Sequence, residues 1–180
     1  ERYLESVESV LSAAVSKVET AQCVKERVPA DLDAVVATPA AWVGERERLE
    51  PLETRKEVAT ETGVRSDRLL EYADGRRSPT AERAQRLLAE LDGSARGDVA
   101  AVQQTLSSCI DDLGVSYNRV AESTELHGTD VKNLLENEDH DLGSLPRFAT
   151  VADRVRAVAD EMLSGDVLES LSMLDSLASE

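Results

Sequence analysis

The side chains here with chemistry to offer are two histidines, two cysteines and an uneven scatter of arginines. His127 and His140 stand at no metal-ligand spacing from Cys23 or Cys109, so neither zinc nor another metal is expected. No glycine loop for phosphates, nucleophile elbow or His-Glu zinc signature is present. The acidic pairs Asp111-Asp112 and Glu138-Asp139 read as solvated surface. No enzyme is expected, and no cofactor. What remains is charge. Between Thr54 and Arg86 stand Arg55, Lys56, Arg65, Arg68, Arg76, Arg77, Arg83 and Arg86 against six carboxylates, eight minus six, in a chain of net charge −16. A local cationic patch of this kind attracts phosphates; the plainer reading is a solvated face with intrahelical ion pairs.

The elements that must position these residues follow from the stretch 54–79. Thr54 with Glu57 forms a capping box, which predicts a helix start there. Gly63 supplies the backbone freedom to end that helix at Thr62. A second short helix fits Ser66 to Ala73, closed by the turn pair Asp74-Gly75. Val58, Ala59, Val64, Leu69 and Leu70 give the two helices apolar faces that pack at a steep angle. This pattern, Val58-Ala59, Gly63-Val64, Leu69 and Asp74-Gly75, resembles the Cro and lambda-repressor type of helix-turn-helix domain.

The resemblance implies that the second helix enters the major groove with its first residues at base edges. Carried onto this chain, those residues are Arg65, Ser66, Asp67 and Arg68. Arginine reads guanine, serine donates or accepts, and aspartate accepts from cytosine. Arg55 falls where the family contacts a phosphate, and Arg76 and Arg77 fall where the backbone is clamped. The implied partner is double-stranded DNA.

The pattern recurs. At one offset Val58-Ala59 falls on Val120-Ala121, Thr62 on Thr124, Val64 on Leu126, Leu69 on Val131 and Thr54 on Ser116, which points to an internal duplication. Glu125 replaces the turn glycine. From Ser116 to Arg156 five cations face eight carboxylates, and His127, Gly128, Thr129 and Asp130 offer little to phosphates. Only the first copy is equipped for DNA; the second is a scaffold or a surface for a protein partner.

The rest of the chain supports an all-α class: 41% hydrophobic but 3% aromatic residues leave a core of Val, Leu and Ala and no convincing strand. Residues 2–28 form one helix with Leu4, Val7, Leu11, Ala14, Val18 and Ala21 on a seam, read either as an amphipathic helix on its own domain or as a homodimer contact. Asp31 to Val36 and Ala40 to Leu49 are expected as separate helices parted by Thr38-Pro39, with Trp42 a core anchor. Thr80 to Leu91 continues the first unit (29–93), and the segment from Asp92 to Gly97 marks a boundary. The second unit (98–163) holds Asp98 to Leu113, the repeated pair, and a helix from Ser144 to Met162. A C-terminal helix (164–180) carries Leu168, Leu171, Leu174 and Leu177.

Cys23 and Cys109 are expected as buried free thiols of a reducing cytoplasm, and no apolar run spans a bilayer. A charge of −16 opposes phosphate binding, unless a salt-loving host acidifies all surfaces except a local patch. Four lysines, Lys17, Lys25, Lys56 and Lys132, among twenty basic residues fit that host. The expected function is a sequence-specific transcriptional regulator acting through the first unit, the alternative a protein-interaction adaptor on the same fold.

Overall fold

The computed structural model describes residues 2–27, 29–93 and 97–178, except the side chains of 166–168, 171, 175, 177 and 178. The described residues are mostly helical, with no strand among them: α1 (Arg2–Glu26), α2 (Leu32–Glu45), α3 (Leu52–Thr62), α4 (Ser66–Ala73), α5 (Ala81–Asp92), α6 (Val99–Leu113), α7 (Tyr117–Ala121), α8 (Gly128–Glu136) and α9 (Arg147–Ala178). Short 3-10 turns at Arg46–Leu49 and Leu142–Ser144 link them. None of the described helices is long and apolar enough to cross a membrane. The chain divides into two compact units, 29–104 with 132–150, and 1–28 with 105–131 and 151–180.

In the unit holding 29–104, α2 packs on α5, and α3 packs on both α4 and α5. Its core is aliphatic as the composition requires, with Val35, Leu49, Leu69, Ala84, Leu87, Leu88 and Leu145 fully buried. Trp42 is the expected anchor: it is buried and meets Tyr72 edge-on, ring centres 6.2 Å apart. The Tyr72 hydroxyl accepts a 3.0 Å hydrogen bond from Arg83, which satisfies its polar end.

Two expected helix boundaries fail here, one through core burial and one through the backbone. Pro39 lies inside α2 rather than ending a helix at Val36. Val35, Thr38 and Trp42 on either side of it all face the core, and the Thr38 hydroxyl donates to the Ala34 carbonyl at 3.0 Å. Burial on both flanks outweighs the roughly 3 kcal/mol a helix-interior proline costs. The capping box at Thr54 does not form either. Pro51, extended at φ −64° and ψ 133°, starts α3 earlier and leaves Thr54 inside the helix.

In the other unit, α1 reaches the core only through Ala21 and Val24, while Leu4 and Leu11 of the expected seam are exposed. The core comprises Leu106, Cys109, Ile110, Val120, Val131, Val151, Val155 and Val158. Lys25 pairs with Asp160, Arg27 with Asp112, and Arg119 with both Glu122 and Glu161. Cys109 is buried, which pushes its thiol pKa up, but Cys23 is exposed. Ala21 and Val24 turn inward on α1, and Cys23 beside them faces outward under the Arg27 guanidinium at 3.8 Å.

The helix expected from Ser144 begins instead after Pro146, which has no N–H to give, and Ser144 sits in the 3-10 turn. It also runs on to Ala178 through Gly165, a glycine that costs a helix only about 1 kcal/mol. The side chains of Leu168, Leu171 and Leu177 in the expected leucine repeat lie outside the described residues, as do residues 94–96 of the expected boundary.

Candidate functional site

α4 is held from beneath and open above. Leu69, Tyr72 and Ala73 of this eight-residue helix are buried, while Asp67 is exposed and Ser66, Arg68, Leu70 and Glu71 are half-buried. The approach to it is built by α3. The Thr62 hydroxyl donates to the Val58 carbonyl at 2.7 Å and accepts from the Val64 N–H at 3.4 Å. Gly63 between them turns the chain at φ 72°, a conformation that favours glycine. Arg65 then stands extended as the cap residue.

At the start of α4 the structure brings Arg65, Ser66, Asp67 and Arg68 together. Arg65 is 85% exposed and pairs with Asp67 at 2.7 Å. The other oxygen of Asp67 accepts from the Arg68 N–H at 2.9 Å, and Ser66 is half-buried. Beyond the end of α4, Gly75 turns at φ 77° and presents Arg76 and Arg77. Arg76 holds Asp74 at 2.7 Å. Their mutual hydrogen bond lowers the Asp74 carboxyl pKa and raises that of Arg76. Glu71, between the two ends, takes Arg68 at 3.3 Å and Arg77 at 3.5 Å on the same oxygen, Oε2. Residues from both ends of α4 are thus joined through one carboxylate.

Arg55 is not part of this face. Its guanidinium turns inward, donating to the Leu49 carbonyl at 3.1 Å and to the Glu50 carbonyl, where it closes the end of the preceding 3-10 turn. Arg83 and Arg86 hold Tyr72 and Glu82.

The α7–α8 segment repeats part of this construction. The Thr124 hydroxyl accepts from the Leu126 N–H at 3.1 Å, as Thr62 does from Val64. Val120 and Val131 are buried at the places of Val58 and Leu69. The turn differs: the left-handed residue is Ser123, φ 62°, two residues before Glu125. Gly128, opening α8, lies close to Asn118, where an added Cβ would come within 3.1 Å of the Asn118 backbone nitrogen. His127 and Thr129 are exposed, and Asp130 accepts from the His127 N–H at 2.7 Å. No arginine stands at the head of this helix.

His140 has a structural place that its sequence context did not signal. It is buried, edge-on to Phe148 at 5.6 Å, and its backbone carbonyl accepts from Ala81 N–H at 2.8 Å. Its Nε2 lies 2.8 Å from the Gln103 side-chain amide, which donates also to the Leu134 and Asn137 carbonyls at 2.9 and 2.7 Å. Burial lowers the His140 pKa against the opposing pull of the Asn137 backbone, Asp139 and Asp141. A cleft of ≈ 510 Å³ adjoins it, lined by Glu82, Gln85, Asp98 and Glu138 among others. Among the described residues no group of three or more His, Cys, Asp or Glu side chains is placed to hold a metal ion. No protein-family model, no curated protein and no solved structure matches the chain.

Proposed function

We propose that the chain is a sequence-specific DNA-binding transcriptional regulator that works through α3 and α4, as a helix-turn-helix of the Cro and lambda-repressor type. The observation that carries this reading is the grouping of Arg65, Arg68, Arg76 and Arg77 about one short helix whose other side is anchored in the core. The head of α4 is offered to base edges, and the loop after it to phosphates. In this reading α7 and α8 are a second copy that does not grip DNA. Their support is the shared offset: α4 opens at Ser66 and α8 at Gly128, 128 − 66 = 62, and Thr62 and Thr124 make the same turn bond at that offset. A homodimer through the exposed side of α1, where Leu4, Leu11 and Val15 lie open, completes the regulator in a salt-loving, cytoplasmic setting. No catalysis and no cofactor belong to it.

A net charge of −16 favours the second reading, an adaptor that binds protein rather than DNA. Fluorescence anisotropy with genomic duplexes across a salt series separates the two. Arg76→Ala with Arg77→Ala is expected to weaken all duplexes alike and to reduce the salt slope, by at most about two. Arg65→Ala is expected to relax sequence preference, by about 1–3 kcal/mol at the position it reads. Absence of binding at low salt, where phosphate attraction is strongest, would leave the adaptor.

A further inference from the structure

All four arginines about α4 are engaged by carboxylates of the same face: Arg65 by Asp67 at 2.7 Å, Arg76 by Asp74 at 2.7 Å, and Arg68 and Arg77 by Glu71 at 3.3 and 3.5 Å. Four cations against three anions leave one net positive charge where the arginines alone would give four. The Glu71 oxygen that faces both guanidiniums is itself shielded from water, so it is screened less than an open surface charge. Asp67 and Asp74 accept hydrogen bonds from the Arg65 and Arg76 guanidiniums, on N–H groups that a phosphate would otherwise take, while Glu71 faces Arg68 and Arg77 as an ion pair, its Oε2 accepting no hydrogen bond.

We infer that Asp67, Glu71 and Asp74 are a built-in counter-charge that competes with phosphate, so that DNA binds this face by exchanging internal carboxylates for backbone oxygens. The inference rests on the DNA-binding reading and adds a regulation to it. Attraction that does not depend on sequence comes from phosphates. A face that neutralises most of its own cations holds arbitrary duplexes weakly. It closes firmly only where base contacts and shape add to the exchange. Each exchange frees a carboxylate that gathers cations as the DNA loses them. The net release of ions is therefore smaller than the number of phosphate contacts, and the salt dependence is shallow. Four unopposed arginines would give a log–log slope of about −3.6; the paired face is expected to show a clearly smaller one.

The test compares the full chain with Glu71→Gln/Asp74→Asn, which opens Arg68, Arg76 and Arg77, and with Asp33→Asn/Glu90→Gln. The control makes the same change in net charge at exposed positions away from α4. Affinity for a short duplex of arbitrary sequence is measured by anisotropy from low to molar salt, with helicity by circular dichroism as the folding check. Asp74→Asn alone replaces the double variant if the latter loses helicity. The expected result is at least tenfold tighter binding at low salt and a visibly steeper slope for the α4 variant, with little change in the control. Equal gains in both variants, or the same affinity and slope in all three proteins, overturn the counter-charge and leave the regulator standing. No binding by any of them at low salt overturns the regulator itself, and the counter-charge with it.

Discussion

Phe148→Ala is expected to lower the unfolding free energy by about 3–5 kcal/mol, the range for truncating a fully buried aromatic ring. Phe148 is the only phenylalanine of the chain and has no exposed surface. It lies at the start of α9, near the buried Leu142 and Leu145, and its ring is met edge-on by His140. Truncation removes the apolar burial and leaves a void, and it also takes the aromatic partner from a buried imidazole. Neighbouring side chains on short connected elements collapse only partly into such a gap, which is what makes the cost large. Urea unfolding monitored by circular dichroism checks it. A fall in midpoint without a change in slope is the expected signature, and a loss below 1 kcal/mol would place the ring outside the load of the core.

Gln103→Leu is expected to destabilise the same unit by at least 2 kcal/mol, and acid is expected to act at the same place. The Gln103 amide serves the Leu134 carbonyl, the Asn137 carbonyl and the His140 ring. Leucine fills the volume and abandons all three; the contacts at Leu134 and His140 are part-buried, where a group left without its partner costs about 1–3 kcal/mol, and water replaces the donor at the exposed Asn137 carbonyl. The His140 Nε2 faces the Gln103 amide at 2.8 Å, in a buried setting that disfavours the charged ring. Burial lowers the folded pKa of His140, whereas the unfolded chain titrates near 6.5. As pH falls through about 6.5 the unfolded chain takes a proton that the folded chain refuses, so stability falls and then levels off below the folded value. Unfolding curves from pH 7.5 to 5 should show this loss, and His140→Gln should remove it. An unchanged pH profile in His140→Gln would assign the acid sensitivity to other groups.

The elements easiest to see in the sequence were those whose signals are local. Gly63 ends α3 because a left-handed residue was needed there, and Ser66 to Ala73 forms α4 with the expected bounds. Ser116 caps α7, its side chain accepting from Arg119, and Thr80, expected as the first residue of its helix, stands one place before it as the cap that accepts from Arg83. Ala84, Leu87, Leu88 and Leu91 all point inward because their spacing is that of one helical face. The signals that failed were local cues overruled by neighbours. Pro51 took the helix start from Thr54, and core burial carried α2 through Pro39.

At the candidate site the arginines of α4 and its following loop could be placed from sequence, but Arg55 could not. Nothing in its spacing shows that its guanidinium is drawn to the Leu49 and Glu50 carbonyls. The convergence of Arg68 and Arg77 on Glu71 is equally invisible, because it joins the middle of a helix to the loop beyond it. His140 stood in an acidic loop with no periodicity to mark it as buried, and only the tertiary arrangement encloses it.

Ser123 carries a consequence for motion. A serine with φ 62° sits in a region that costs most side chains roughly 1 kcal/mol, and it follows a helix of only five residues. A helix that short has little hydrogen bonding of its own to resist fraying. The backbone from 117 to 127 is therefore expected to open more cheaply than the α6 and α9 core of its unit, where Leu106, Ile110 and Val155 are buried. In amide exchange the Thr124 turn should take up deuterium well ahead of the matching turn at Thr62, where glycine bears the left-handed position without strain. The two turns share a hydrogen bond but not a lifetime.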